Sequence, residues 1–392
     1  MQRFGFLLLL MLAVSLSARA ETRIDRIRPD APELAAYGPY AIGVRTVTLA
    51  DSKRPLTIEV WYPAEPDAQG TTVLKALVRD GKTEASLRGK AVRDAAPAKD
   101  AKSLPLVIIS HGFPGNRYLL SPLAENIASK GYVVAAIDHT DSTYDTLSDK
   151  SFASALANRS PDQHFVLDHI AAALPKGEVD VNKTAVIGYS MGGYGTLITA
   201  GATLTKQAIE SKDPMWSVPD GALAHQPKFD PRVKTAIVFA PAGWSKGFFD
   251  AESIKAIKVP MLFAAGSLDD VVGYDNGVRP TWQAATSVDR ALLTFENGGH
   301  NAGPLIPAPE EADKIDPVRG VNLLTHYIDA VWDPVRLDNL DEHFVTAWLG
   351  KYLKGDPKMD AYLDLGPDPG IWKGFPEKTA RGLRFERLQA GH

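Results

Sequence analysis

The chain has 392 residues, enough for one large domain with insertions or for two domains. Its 43 Lys and Arg stand against 47 Asp and Glu, and this mild acidity gives no basic surface of the kind a nucleic-acid partner requires. It contains no cysteine, which excludes disulfides, thiolate metal sites and a cysteine nucleophile.

The first twenty residues read as an export signal. Arg3 gives a basic start, residues 4–14 an apolar run, and Ala18-Arg19-Ala20 a small-residue cleavage site. The mature chain is therefore expected to begin at Glu21. The apolar run is short for a membrane anchor, and no cysteine beside the cleavage site favours a lipid-linked form. Removing Arg3 and Arg19 moves the formal charge from −4 to −6, with 41 basic against 47 acidic side chains. The expected location is the periplasm or the outside of the cell.

Residues 44–49 and 56–61 alternate as an opening pair of strands, the second ended by Pro63. Residues 64–104 are polar and alanine-rich, an extended excursion between early strands. A short apolar strand, 106–109, runs into Ser110-His111-Gly112. A helix over 122–129 stops at Gly131, and 132–137 forms the next strand. A helix over 162–174, capped by Asp162 or Ser160, precedes a buried strand at 184–187.

That strand enters Gly188-Tyr189-Ser190-Met191-Gly192, and residues 193–204 have the composition of a helix. A serine between two glycines at a strand-to-helix turn is a nucleophile elbow, since a larger side chain at either glycine position crowds the turn. Ser190 is the predicted nucleophile. The helix N-terminus behind it favours negative charge developing nearby.

Two more strands follow, 235–239 and 261–265. A helix over 281–286 leads to the strand 291–295, and the chain closes with an amphipathic helix over 342–354 capped at Gly355. Strands and helices that alternate this way predict an α/β fold with a mostly parallel sheet covered on both faces. No internal repeat and no linker between equal halves is present. A single domain over 21–392 is expected, with insertions around 64–104, 140–160, 205–232 and 303–340 at the catalytic edge.

Serine at neutral pH needs a histidine base, and the histidine needs a carboxylate to fix its tautomer. The order serine, acid, histidine belongs to the elbow architecture. Asp269 follows the strand 261–265, and His300 follows the strand 291–295 within Gly298-Gly299-His300. These are the predicted acid and base, with Asp270 the alternative acid. Oxyanion donors are expected at the N–H of Met191 and of Phe113, because Pro114 has no N–H to offer. His111 is a candidate for orienting that loop. Trp244 and Tyr118 are candidate pocket walls, with Tyr144 a further one. Asp138-His139-Thr140-Asp141 lacks diagnostic ligand spacing, so neither metal nor cofactor is assigned.

The segments Val60-Trp-Tyr-Pro-Ala64, Ser110-His-Gly-Phe-Pro-Gly115, Gly131-Tyr-Val-Val-Ala-Ala-Ile-Asp-His139 and Gly188-Tyr-Ser-Met-Gly192, with the late Asp269 and His300, resemble the α/β-hydrolase superfamily. More narrowly, they resemble its dienelactone-hydrolase-like and platelet-activating-factor acetylhydrolase-like serine esterases. The resemblance spans residues 40 to 355 outside the insertions. It implies carboxylic-ester hydrolysis through an acyl-enzyme, with Ser190 nucleophile, His300 base, Asp269 acid, and Phe113 and Met191 at the oxyanion hole. Two departures matter. Secreted animal acetylhydrolases carry the acid after the preceding strand, where this chain has Phe239-Ala-Pro-Ala-Gly243, and dienelactone hydrolases proper use cysteine. The elbow and Trp244 also resemble bacterial cutinase-like polyesterases. The expected substrate is a small or medium ester, with short-acyl phospholipids, polyesters and amides or peptides as alternatives. A catalytically silent binding protein is the non-enzyme alternative. Oligomeric state is left open.

Overall fold

The computed structural model describes residues 21–50, 54–212 and 218–392; the expected export signal lies outside them. The strands are β1 (Thr22–Arg23), β2 (Ala41–Leu49), β3 (Leu56–Ala64), β4 (Val73–Leu77), β5 (Glu84–Arg88), β6 (Val92–Arg93), β7 (Leu104–Ser110), β8 (Val133–Asp138), β9 (Val179–Tyr189), β10 (Val233–Phe239), β11 (Met261–Gly266), β12 (Arg290–Phe295) and β13 (Leu383–Leu388). The α-helices are α1 (Ser121–Ser129), α2 (Ser151–His169), α3 (Met191–Thr199), α4 (Lys206–Ile209), α5 (Ala251–Lys255), α6 (Arg279–Ala284) and α7 (Pro334–Tyr352).

Ten strands form one sheet in the order β13-β12-β11-β10-β9-β7-β8-β3-β2-β6. Neighbours from β12 to β8 are parallel, while β13, β3 and β2 join antiparallel. Every residue of β11 and β12 is buried, as a strand covered on both faces requires. The pair α1 and α7 packs on one side and the pair α2 and α3 on the other. The α/β class with a mostly parallel, doubly covered sheet is as expected.

Several boundaries differ from expectation. Pro63 does not end its strand: β3 runs to Ala64, with Pro63 opposite Ile42 of β2. Pairing with β8 stops at Trp61, so Pro63 occupies an edge position where a missing N–H is tolerated. Helix α2 starts at Ser151, not Asp162, and takes up the second half of the insertion expected around 140–160. Ser160 and Asp162 are buried inside it rather than capping it, and Pro161 lies mid-helix. The carbonyl that Pro161 cannot satisfy is that of Ala157, and Gln226 Nε2 donates to it at 3.1 Å. Helix α7 starts at Pro334, capped by Asp333, whose carboxylate accepts from the Arg336 amide. The polar residues Asp338, Asn339, Asp341, Glu342 and His343 on it are buried, which hides its inward face from a hydrophobicity pattern. The fold does not close there, because β13 adds an antiparallel edge to β12. Within the excursion 64–104, β4 and β5 pair with each other and with β1 as a separate small sheet.

Candidate active site

Ser190 stands between β9 and α3 with φ 54° and ψ −114°. Positive φ is strained for a residue with a Cβ and persists only when its surroundings fix it. Here the Ser190 amide donates to the Phe239 carbonyl at 2.9 Å, and its carbonyl accepts from the amides of Tyr194 and Ala242 at 3.1 Å each. The flanking glycines are obligatory in space as well. A Cβ on Gly188 falls 2.4 Å from the Gly192 carbonyl oxygen, and one on Gly192 falls 2.0 Å from that of Ser110.

The loops after β11 and β12 meet over this turn. The imidazole of His300 lies with Nε2 3.0 Å from Ser190 Oγ and Nδ1 2.9 Å from Asp269 Oδ2. In that geometry Nδ1–H donates to the carboxylate, and Nε2 is free to accept from the hydroxyl. Asp269 is buried, and its Oδ1 accepts from the amides of Val271 at 3.0 Å and Val272 at 3.1 Å. Asp270 is exposed, and the carboxylate bonded to His300 is that of Asp269. Below the ring, Tyr189 lies 5.3 Å away between centroids. Its hydroxyl reaches the His300 carbonyl at 3.3 Å and Asn301 Oδ1 at 3.1 Å. Burial and then the charge of Asp269 push the Tyr189 phenol well up, so it remains a donor.

The first active-site loop is aimed by its own carbonyl. The Gly112 C=O accepts from His111 Nδ1 at 2.7 Å and from the fully buried Arg159 Nη2 at 2.8 Å. Burial, then Arg159 and His139, push His111 well below the usual imidazole range, so it is neutral and carries its proton on Nδ1. A trans peptide points its N–H opposite its C=O. With the Gly112 carbonyl held to the interior, the Phe113 N–H is turned the other way. Gly112 itself runs against the elbow: a Cβ there falls 3.4 Å from Ser190 Cβ. His111 thus bonds the backbone of the loop it is a candidate for orienting.

Beneath the loop is a second Ser-His-Asp array. His139 places Nε2 2.8 Å from Ser110 Oγ and Nδ1 2.9 Å from Asp162 Oδ2, and all three residues are buried. It ties the ends of β7 and β8 to α2, which is how the Asp138-His139 segment is used.

Ser190 borders two cavities. One, of about 290 Å3, is apolar and includes Phe113, Phe152, Leu156, Met191, Tyr194 and Phe248. The other, of about 430 Å3, is more polar and brings Arg79, Asn301, Arg319, His326 and Asp329 alongside Ser190 and His300. Phe113 and Met191 therefore stand at the site. Trp244 and Tyr118 line neither cavity. Trp244 packs half-buried against the core while its neighbours Gly243, Ser245 and Lys246 face the apolar cavity. Tyr118 is buried with its hydroxyl donating to Glu59 Oε2 at 3.1 Å. Tyr144 is likewise buried, behind His326 at 2.8 Å. Arg79, Arg319 and His326 come from the insertions 64–104 and 303–340 and carry no motif that marks them in the sequence.

A PET hydrolase-like family model matches residues 93–217. Cutinase 2 of Thermobifida cellulosilytica is 24% identical over 267 residues, covering 68% of this chain and 75% of that protein. A platelet-activating factor acetylhydrolase of Cavia porcellus is 31% identical over 121 residues, 26% of this chain and 28% of that one. Among solved structures, a ferulic acid esterase from Streptomyces cinnamoneus superposes with a TM-score of 0.61 at 22% identity, over 91% of this chain and 99% of that one. The last likeness speaks to the fold.

Proposed function

We propose that this α/β-hydrolase-fold serine ester hydrolase works through Ser190, His300 and Asp269 on small or medium carboxylic esters. One observation carries the reading: a single imidazole bridges Ser190 Oγ at 3.0 Å and Asp269 Oδ2 at 2.9 Å, at a strained strand-to-helix turn. His300 Nε2 takes the hydroxyl proton as Oγ attacks the ester carbon, and Asp269 stabilises the imidazolium. The amides of Phe113 and Met191 receive the oxyanion. His300 then protonates the leaving alcohol, and the acyl-enzyme is released by a water that His300 deprotonates. The whole of 21–392 acts as one catalytic domain whose insertions shape the substrate cavities. Export to the periplasm or beyond belongs to the same reading and rests on the composition of residues 1–20; no helix among the described residues is long and apolar enough to cross a membrane.

A second reading, cutinase-like polyester hydrolysis, is favoured by one feature. Leu268, Val271, Val318, Val321, Ile328 and Val331 are exposed on the loops that flank the larger cavity. A water-insoluble ester surface is the kind of partner such a rim suits. The test is a chain-length series of soluble aryl esters and a polyester film, each with wild type and Ser190→Ala, together with an organophosphonate serine probe. The reading requires that turnover and labelling both disappear in Ser190→Ala. Comparable turnover by the two proteins would sink the nucleophile assignment.

A further inference from the structure

Arg79 enters the larger cavity from the turn between β4 and β5, remote in sequence from every catalytic loop. One of its terminal nitrogens contacts His326 Nδ1, and its amide donates to Tyr327 Oη at 3.0 Å. Burial and then the charge of Arg79 push His326 well below the usual imidazole range. The ring is therefore neutral. It accepts from Arg79 through Nδ1 and donates through Nε2 to Tyr144 Oη at 2.8 Å. The guanidinium thus leans on an uncharged partner.

The acids around it are engaged elsewhere. Asp80 pairs with Lys314 at 2.6 Å and accepts from the amides of Lys82 and Thr83. Asp316 pairs with Arg319 at 3.1 Å and accepts from the Val318 and Arg319 amides. Asp329 accepts from the amides of Gly299, Val331 and Trp332. Asp270 is exposed at the cavity rim, where solvent screens it. A half-buried cation without a counter-charge is costly, and the loss of hydration together with nearby Arg319 weakens the hold of Arg79 on its proton. An anion arriving in the cavity removes that cost.

We propose that Arg79 anchors a carboxylate on the substrate, so that the enzyme prefers half-esters, compounds carrying one ester and one free carboxylate. This rests on the reading of Ser190 as nucleophile. A single carboxylate fits because, among the described residues, Arg79 is the guanidinium of this cavity without a counter-charge, whereas Arg319 already has Asp316. The fork geometry of arginine suits a planar carboxylate. The bound carboxylate makes and breaks no bond. Water and the ester give acid and alcohol as before, and a half-ester is what the first hydrolysis of a diester leaves.

The experiment uses two matched pairs, because the cavity receives either the acyl or the alcohol part. The first pair is mono-4-nitrophenyl adipate and its neutral methyl ester. The second is 4-butyryloxybenzoate and its neutral methyl ester. In at least one pair, wild type should favour the anion in kcat/KM by about 10- to 100-fold, a charge-assisted contact's share. Arg79→Gln should abolish that preference, lowering kcat/KM for the anion more than for its neutral partner, and Arg79→Lys should restore part of it. Equal preference in wild type and Arg79→Gln for both pairs overturns the proposal and leaves the hydrolase reading intact. Binding of the same anions to Ser190→Ala, with and without Arg79→Gln, is read by calorimetry. Arg79-dependent binding without turnover by wild type would keep the anion site and remove the hydrolase reading; absence of that dependence overturns the site itself. A short-acyl glycerophosphocholine ester distinguishes a phosphodiester from a carboxylate. Arg79-dependent turnover of it in place of the half-esters would overturn the carboxylate assignment.

Discussion

Asp269 offers His300 only one of its two carboxylate oxygens. Oδ1 is held by the amides of Val271 and Val272, and Oδ2 alone faces the imidazole at 2.9 Å. The loop that follows the acid therefore fixes the carboxylate plane and the ring tautomer together. Asp270, next in sequence, shares neither amides nor imidazole and stands exposed.

This division of the two acids predicts unequal variants. Asp269→Asn should retain the fold and lose roughly 10³–10⁴-fold in kcat, the general cost of a wrong tautomer in such a triad. Asp270→Asn should lose less than about tenfold. Ester turnover is measured beside circular dichroism and melting temperature for each. A folded, near-normal Asp269→Asn with a nearly inactive Asp270→Asn would reverse the assignment.

The contrast between these neighbours also marks where sequence stops. Ser190, Asp269 and His300 are each reached through a local pattern: an apolar strand, then a glycine, then the side chain. Such patterns survive without knowledge of tertiary structure. Which aspartate turns inward depends on two amides that no spacing reveals. Arg79 is harder still, because a small separate sheet delivers it across the fold into the cavity. The start of α2 was hidden by Pro161, whose missing hydrogen bond is covered by Gln226 from a distant loop. The first half of α7 was hidden by its buried polar residues, which break the apolar stripe that identifies a helix. Trp244 differs for another reason: its neighbours Gly243 and Ser245, not its ring, face the cavity.

The elbow glycines should not tolerate even one methyl group. The Cβ of Gly192→Ala falls 2.0 Å from the Ser110 carbonyl oxygen, and backbone at the end of β7 cannot rotate away as a side chain does. We expect a destabilisation of roughly 1–3 kcal/mol and loss of phosphonate labelling at Ser190. Gly366→Ala, where nothing lies within 4 Å, is the control. Unchanged melting and labelling in Gly192→Ala would show that the turn is looser than this geometry.

The buried array Ser110–His139–Asp162 should act through the oxyanion loop and not through proton transfer to substrate. His139→Phe leaves Asp162 and Ser110 without their shared partner. Burial already pushes the Asp162 carboxyl up to about 6. Stability should fall by about 1–3 kcal/mol and turnover by less than about tenfold, while Ser190 remains reactive toward the phosphonate. If a stably folded His139→Phe loses labelling as completely as His300→Ala does, the array has a chemical part that its burial does not suggest.

The last prediction concerns pH and the inner face of α7. Burial pushes Glu342 up to about 8, amid Asp338, Asp341 and Glu125, with Lys130 the principal opposing charge. Between its ordinary value of 4.5 and about 8, the folded chain keeps a proton on Glu342 that the unfolded chain has released. The unfolded state then binds fewer protons, so this group's contribution to stability falls as pH rises through that window. Glu342→Gln removes the titration while keeping an oxygen for Asn339 Nδ2, which donates to Glu342 Oε2 at 3.1 Å. The buried histidines titrate in the opposite sense below about 6.5, so the comparison is the variant against wild type at each pH. Denaturant melts at pH 5 and pH 8 should show the variant gaining on wild type at the higher pH, by roughly 1–3 kcal/mol. A difference between the two proteins that does not change with pH, or a variant that loses ground to wild type as pH rises, would mean that Glu342 is ionised in the fold and that Lys130 has balanced it.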